Sequence, residues 1–123
     1  MNSEYRYSFE KLNVWQNARK FVFFVYQITN KFPNQEKYAL TDQIRRAAIS
    51  IPANIAEGTS RITSKDQAHF SSIAYSSLME VLSHFYLALD LNYIDVNTLN
   101  ELKLKIYEIS NQLNSLRKSQ LKN

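Results

Sequence analysis

The residues best suited to acid–base or metal chemistry are two histidines and one carboxylate. Glu80 and His84 lie four residues apart, and the second histidine of the chain is His69. A di-iron site in a helix bundle needs a Glu-x-x-His pair on each of two helices and two further carboxylates. The sequence has no such pair. We therefore predict no metal and no cofactor, and expect a polar contact between Glu80 and His84 in or beside the core.

Hydrolytic and phosphate-cradling loops are also missing from the sequence. A Ser-His-Asp triad needs a strained nucleophile turn and an oxyanion hole, and loops such as GxxxxGK[ST] need several glycines. The chain has one glycine and no cysteine among its 123 residues. We therefore predict no catalytic residue and no enzymatic activity.

The chemistry that remains is cationic. Residues 1–62 hold nine Lys/Arg against five Asp/Glu, and residues 63–123 hold six of each. A local basic excess favours an anionic partner; the alternative is a solvated helix surface with local ion pairs to Asp42, Glu57 and Asp66. The candidate nucleic-acid contacts lie on the second helix and the turn after it, and they are Lys37, Arg45, Arg46, Arg61 and Lys65.

Two of these arginines also have a structural interpretation. Glu80 falls among apolar residues midway along the third helix, and a buried carboxylate is costly unless it is paired. We therefore predict a structural ion pair that Arg45 or Arg46 makes with Glu80 or Glu57. Asp42 and Arg46 have the i,i+4 spacing of a helix-surface pair.

Hydrophobic periodicity predicts four helices that position these residues. They cover, approximately, residues 9–31, 35–57, 64–91 and 96–118. Pro52 is expected to kink the second helix, a break at residues 50–52 being the alternative. Gly58 is expected to end it in a left-handed conformation. With short connections, this pattern predicts an all-α, antiparallel up-down-up-down four-helix bundle that forms one domain over residues 1–123.

The helix starts carry several candidate caps. Side chains that can accept a hydrogen bond from the first turn precede the third helix at Thr63 or Ser64. Candidate caps of the fourth helix are Asp95, Asn97 and Thr98, the last in a capping box with Glu101.

The distribution of apolar residues indicates where the protein is located and whether it self-associates. The longest apolar run, Phe21 to Tyr26, is too short to span a bilayer, and the first eleven residues do not resemble a signal peptide. We therefore expect a cytoplasmic protein without membrane contact. The first and third helices each carry two adjacent apolar stripes, which one small bundle is not expected to bury fully, so we predict a homo-oligomer.

A longer segment is more specific than any of these residues. The sequence RRAAISIPANIAEG occupies Arg45 to Gly58. It is accompanied by FEKLNVW at residues 9–15, Phe32-Pro33, Glu36-Lys37-Tyr38 and Gln43, and later by Phe70, Ala74, Ser77, Leu78, Glu80 and the segment 91–94. Together these resemble the bacterial four-helix-bundle family found in intervening sequences of 23S ribosomal RNA genes. The resemblance runs from Phe9 to about Leu116, with Ala39 and Ser76 at positions where that family often has glycine.

The resemblance implies a four-helix bundle without a catalytic constellation. A related branch, the accessory variability determinant of diversity-generating retroelements, forms a barrel-like homopentamer that binds nucleic acid and a reverse transcriptase. The resemblance therefore implies a homopentamer, with RNA or DNA and a reverse transcriptase as partners.

Two functional hypotheses follow. The first is a non-enzymatic oligomeric accessory protein that binds structured RNA or an RNA–DNA hybrid, through phosphates because no aromatic-rich sheet or recognition-helix motif is visible. Such binding should weaken steeply with salt. The second is a protein-interaction scaffold that docks a partner enzyme such as a reverse transcriptase.

Overall fold

The helical class predicted from the sequence is confirmed by a computed structural model that describes residues 4–122. Within this range the chain forms two short 3-10 helices and four α-helices, and no strand. The elements are a 3-10 helix at Ser8–Lys11, α1 at Asn13–Thr29, a 3-10 helix at Asn34–Glu36, α2 at Leu40–Thr59, α3 at Ser64–Asp90 and α4 at Val96–Leu121. None of these helices is both long and apolar enough to cross a membrane.

One hydrophobic core holds the four helices together. Each α-helix packs against the next one in sequence, and α4 also contacts α1. The largest side chains with almost no exposed surface include Phe21 of α1, Ile51 of α2, Phe85 of α3 and Leu102 of α4. Burial of each such side chain contributes roughly 1.5–3 kcal/mol. The core therefore stabilises the four-helix bundle, while its antiparallel order stays a prediction.

The buried face of α1 draws on both of the apolar stripes found in the sequence. Its buried residues are Val14, Ala18, Phe21, Val25 and Thr29. The second predicted stripe of α3 consists of Tyr75, Leu78, Leu82, Phe85 and Leu89. Leu78 and Phe85 of this stripe are fully buried. Most of the other stripe residues pack against the core from its edge. A single chain thus covers most of both stripes, so these stripes alone do not require a second copy.

The proline in α2 does not interrupt the helix. α2 is continuous from Leu40 to Thr59, with Pro52 inside it. Of the two alternatives at this position the break is therefore wrong, and the kink stays a prediction. The start of α2 is later than predicted because the preceding residues form a separate 3-10 turn.

The caps of α3 and α4 are made by side chains that precede each helix. Thr63 Oγ1 accepts a hydrogen bond from the backbone N–H of Asp66 at 3.1 Å, as predicted. Asp95 Oδ1 accepts from the backbone N–H of Thr98 at 2.8 Å, so the N-cap of α4 is Asp95 and the capping box built on Thr98 is wrong. The Thr98 N–H holds the pKa of the Asp95 carboxyl below its ordinary value, because it stabilises the charged form.

The left-handed residue occurs at the end of α3 and not at the end of α2. Asn92 has a φ of 63°, which lets the N–H of Tyr93 reach the carbonyl of Ala88 at 2.8 Å. This is the pattern in which a left-handed residue satisfies the last carbonyls of a helix. No glycine among residues 4–122 has a positive φ. The predicted left-handed cap at Gly58 is therefore wrong.

Gly58 instead permits close contact between α2 and α3. A Cβ atom built on Gly58 would lie 3.0 Å from the Cβ of Phe70 and 3.3 Å from the carbonyl oxygen of Gln67. Both atoms belong to, or lie one bond from, the backbone of α3, so neither can rotate away. The lack of a side chain at Gly58 relieves this tight contact, and the backbone freedom of glycine is not used, since φ is not positive.

A hydrogen bond joins the α1–α2 connection to the α3–α4 connection. Tyr93, between α3 and α4, donates its hydroxyl to Glu36 Oε2 at 2.6 Å. The ring of Tyr93 also packs on Phe32, with 5.3 Å between centroids. The Glu36 carboxylate raises the pKa of the Tyr93 hydroxyl, since ionisation would remove the donated proton. The contact ties the α1–α2 connection to the α3–α4 connection.

The substitution Gly58→Ala tests the close approach of α2 and α3. Helix propensity alone would favour alanine by about 1 kcal/mol, whereas overpacking costs about 1–3 kcal/mol. We expect Gly58→Ala to lower the free energy of unfolding by about 1 kcal/mol, measured by urea denaturation.

The matched control is Ala53→Gly, at an exposed position of the same helix, which measures the propensity term without crowding. If Gly58→Ala stabilises the protein by as much as Ala53→Gly destabilises it, the packing argument is wrong.

Candidate nucleic-acid interface

Three of the five candidate basic residues line one cleft beside α1 and the first half of α2. The cleft has a volume of about 630 Å³. Its lining residues are Tyr26, Lys37, Tyr38, Thr41, Asp42, Arg45, Arg46, Ile49 and Ser50. One acidic residue lines it against three basic ones, so the cleft carries a positive charge overall. We call it the Lys37 cleft.

Arg45 lines the Lys37 cleft, and its side chain is held by contacts with the C-terminal end of α1. Its Nε donates to Thr29 Oγ1 at 2.9 Å and its Nη2 donates to Asn30 Oδ1 at 3.0 Å. Its guanidinium carbon lies 4.3 Å from the centroid of the Tyr26 ring, a cation–π distance. The charge also sits at the C-terminus of α1, where a helix dipole favours a cation. Arg45 is thus a structural link between α1 and α2.

Arg46 and Lys37 point toward solvent at the rim of the cleft. Arg46 Nε contacts Asp42 Oδ2 at 2.8 Å, which confirms the pair predicted from the i,i+4 spacing, and 78% of the arginine side chain is exposed. The Lys37 ammonium lies 5.4 Å from the ring centroid of Tyr38, whose exposure is 87%. An ion pair this exposed contributes little stability, so Arg46 remains available to an anionic ligand.

Arg61 and Lys65 lie near the opposite end of α2. Arg61 follows the end of the helix, and Lys65 is in the first turn of α3. From Arg46, the remaining turns of α2 place them about 20 Å away. The guanidinium carbon of Arg61 lies 5.0 Å from the Phe70 ring centroid. The five candidate residues therefore lie in two separate groups and do not form one patch.

The predicted structural ion pairs do not form among residues 4–122. Glu80 faces solvent with 53% of its side chain exposed, and its Oε2 lies 3.3 Å from His84 Nε2. The contact between Glu80 and His84 is the polar contact expected from their spacing. Glu57 is exposed on α2, and neither Arg45 nor Arg46 reaches either glutamate.

The helix rotation explains why the pairing with Glu80 is wrong. The buried face of α3 in this region is formed by Ala74, Ser77, Leu78 and Val81, and Ser77 Oγ lies 2.9 Å from Ser50 Oγ. Glu80, three residues further along α3, is turned toward solvent. A hydrated carboxylate needs no buried partner, so the premise of the predicted pair does not hold.

Candidate ligands for a metal ion do not cluster in the part of the chain that the structure describes. Between residues 4 and 122, no three His, Cys, Asp or Glu side chains are placed to hold one ion. His84 Nδ1 is buried without a hydrogen-bond partner among the described atoms, and the one carboxylate that the imidazole contacts, Glu80, lies at Nε2. This geometry offers no coordination set.

Sequence analysis missed the aromatic residues of the Lys37 cleft. Tyr26 falls within an apolar segment of α1, where no periodicity separates a cation-binding ring from a core ring. Tyr38 lies within the Glu36-Lys37-Tyr38 match, where no feature of the sequence marks it as a contact. The structure adds both rings to the site, since each lies against a basic side chain.

Comparison with known proteins gives a family and a fold. Residues 10–115 match the family model described as 23S rRNA-intervening sequence protein. A solved structure from Bacteroides thetaiotaomicron, described as a protein with unknown function from the S23 ribosomal protein family, superimposes with a TM-score of 0.78. It is 24% identical in sequence and the match covers 85% of this chain and 98% of that chain. No match was found among curated proteins.

Substitution of the two adjacent arginines distinguishes the structural one from the exposed one. We expect Arg45→Ala to lower the free energy of unfolding by about 1–3 kcal/mol, because it removes charge-assisted bonds to Thr29 and Asn30. Arg46→Ala, the matched control, should lower it by less than about 1 kcal/mol. Both are measured by urea denaturation. Equal losses for the two variants would contradict the assignment of Arg45 as the link to α1.

Proposed function

We propose that this chain, which belongs to the family of 23S rRNA-intervening sequence proteins, is a non-enzymatic oligomeric accessory protein that binds RNA or an RNA–DNA hybrid mainly through phosphate contacts. The observation that carries the proposal is the Lys37 cleft. There Lys37 and Arg46 present cations to solvent, and no buried partner holds either of them.

The distribution of charge around the cleft supports an anionic ligand. α1, whose Tyr26 lines one wall, contains no acidic residue. Asp42 lines the cleft but already pairs with Arg46. Phosphate contacts from such residues set affinity and carry no sequence information. Binding should therefore be largely independent of base sequence and sensitive to salt.

Arg61 and Lys65 serve as a second contact region in this proposal. They lie too far from the Lys37 cleft to bind the same phosphate. In an assembly of several copies, however, each weak region is repeated, and simultaneous engagement raises the overall affinity. The pentameric state implied by the related retroelement proteins would present five copies of each region.

A docking scaffold is the second candidate function, and the outer face of α4 favours it. Leu104 and Tyr107 are 73% and 69% exposed there, and the Tyr86 ring of α3 lies 5.8 Å from the ammonium of Lys103, the residue before Leu104. Exposed apolar side chains grouped in this way are typical of protein–protein contacts. This face, which we call the α4 face, is the proposed contact for further copies of the chain or for a partner enzyme such as a reverse transcriptase.

Neutralisation of the exposed cations tests the proposed phosphate contacts. We expect Lys37→Gln/Arg46→Gln to weaken RNA binding and to lower the slope of log affinity against log salt by about one to two. The measurement is fluorescence anisotropy with labelled RNA at about 50 and about 200 mM salt. Arg61→Glu/Lys65→Glu should also weaken binding while the chain stays folded.

Arg117→Gln/Lys118→Gln is the matched control, since it removes the same charge from an exposed part of α4. If this pair weakens binding as much as Lys37→Gln/Arg46→Gln, only the net charge matters and the cleft is not the site. If the wild-type chain binds no RNA, DNA or hybrid, the proposed function is wrong.

Substitutions on the α4 face test the proposed assembly. We expect the wild-type chain to sediment as an oligomer at micromolar concentration, and Leu104→Asn/Tyr107→Asn to sediment as a folded monomer. Ile62→Asn is the control, because Ile62 is 97% exposed and lies in the α2–α3 turn. A wild-type monomer would contradict self-association, and an unchanged oligomer in the double variant would place the contact elsewhere.

A further inference from the structure

A second cleft, on the solvent side of α1, is not used by the proposed phosphate contacts. Its volume is about 540 Å³. It is lined by Tyr5, Glu10, Trp15, Gln16, Arg19, Lys20 and Phe23. Three of these seven side chains are aromatic and two are basic, a composition unlike that of an ordinary helix surface. We call it the Phe23 cleft.

Hydrogen bonds hold the segment before α1 against the helix and so form one wall of the cleft. Gln16 Nε2 donates to the carbonyl of Glu10 at 2.8 Å, and also lies 3.4 Å from the Tyr5 hydroxyl. The ring of Phe9 meets that of Trp15 edge-to-face, with 4.9 Å between centroids. These contacts place the wall before any ligand binds, which reduces the entropy lost on binding.

Aromatic and cationic side chains alternate along the floor of the cleft. Trp15, Arg19 and Phe23 follow one another at intervals of four residues, so they lie on successive turns of α1 and span about 12 Å of its axis. The Arg19 guanidinium carbon lies 5.5 Å from the Trp15 ring centroid. Phe23 is 68% exposed, so its ring is accessible to a flat ligand.

The charges in the cleft favour an anion beside the aromatic rings. Arg19 and Lys20 are both exposed. The one acidic side chain of the lining, Glu10, is hydrogen-bonded to the backbone. Its Oε2 accepts from the N–H of Tyr7 at 2.8 Å and from the N–H of Arg6 at 3.2 Å. A ligand that fits has a flat aromatic part next to a negative group. A nucleotide has both.

We propose that the Phe23 cleft binds an unpaired nucleotide of single-stranded RNA, with its base stacked on Phe23 and the adjoining phosphates on Arg19 and Lys20. This inference rests on the proposed nucleic-acid-binding function and specifies its substrate class as RNA with exposed single-stranded segments. Duplex RNA does not fit, because the faces of its bases are covered by their neighbours. Stacking on an aromatic ring tolerates any base, which agrees with sequence-independent phosphate contacts in the Lys37 cleft.

The fluorescence of Trp15 can report directly on ligand binding in the Phe23 cleft. Trp15 is the one tryptophan of the chain, so its fluorescence reports on this cleft and not on the Lys37 cleft. We expect an oligouridylate of about 12 nucleotides to quench Trp15 emission. A duplex RNA of the same length should bind through phosphates and leave the emission nearly unchanged.

Substitutions of Phe23 separate stacking from general apolar contact. Phe23→Leu keeps an apolar side chain but removes the ring, and Phe23→Tyr keeps the ring. We expect Phe23→Leu to weaken oligouridylate binding by about 5- to 100-fold, a range that corresponds to the loss of one stacked base. Phe23→Tyr should bind like the wild-type chain, and neither variant should change duplex binding.

The outcomes distinguish this inference from the function on which it rests. If oligouridylate and duplex bind equally well, Trp15 emission does not change and Phe23→Leu binds normally, the stacking site is wrong and the phosphate contacts stand. If no nucleic acid binds, the proposed function and the stacking site both fail. If Phe23→Leu instead turns an oligomer into a monomer in sedimentation, the cleft belongs to an interface between copies, and the inference is overturned.

Discussion

The close approach of α2 and α3 is the constraint on which the rest of the bundle depends. It is tightest at Gly58, where an added Cβ would lie 3.0 Å from that of Phe70. Midway along the same interface, Ser50 and Ser77 meet at 2.9 Å. Asn54 bonds both the carbonyl and the hydroxyl of Ser50 at 2.8 Å. Small and mutually satisfied polar groups allow the two backbones to come together without unpaired donors.

This interface decides which side chains remain available for binding. α3 buries Ala74, Leu78 and Val81, whereas Glu80 is exposed and pairs with His84, which leaves Arg45 and Arg46 of α2 without an acidic partner on α3. Arg45 instead reaches back to the end of α1. Arg46 faces solvent at the rim of the Lys37 cleft. One arginine therefore stabilises the fold and its neighbour is available to a ligand, although the two are adjacent in sequence.

Aromatic rings accompany the basic side chains at both clefts, and they specify the kind of nucleic acid that we propose as the ligand. Phosphate contacts alone do not distinguish a duplex from a single strand. Rings open to solvent, such as Tyr38 at one cleft and Phe23 at the other, add a surface on which unpaired bases can stack. Both clefts border α1, which carries no acidic residue. A strand that crosses α1 would meet cations and rings in turn.

The sequence by itself determined that there are four helices, narrowed the cap of α3 to Thr63 or Ser64, and predicted the Asp42–Arg46 pair, because each follows from spacing within one element or one turn. It also determined the family, through a segment whose order of residues is specific. The tertiary structure decided the partner of Arg45, the exposure of Glu80, the packing role of Gly58 and the separation of Arg61 and Lys65 from the Lys37 cleft. These depend on how each helix is rotated about its axis and on which residues of distant segments meet. Periodicity defines an apolar face only to within a wide arc, whereas a contact between two side chains requires that rotation to be known to within one residue.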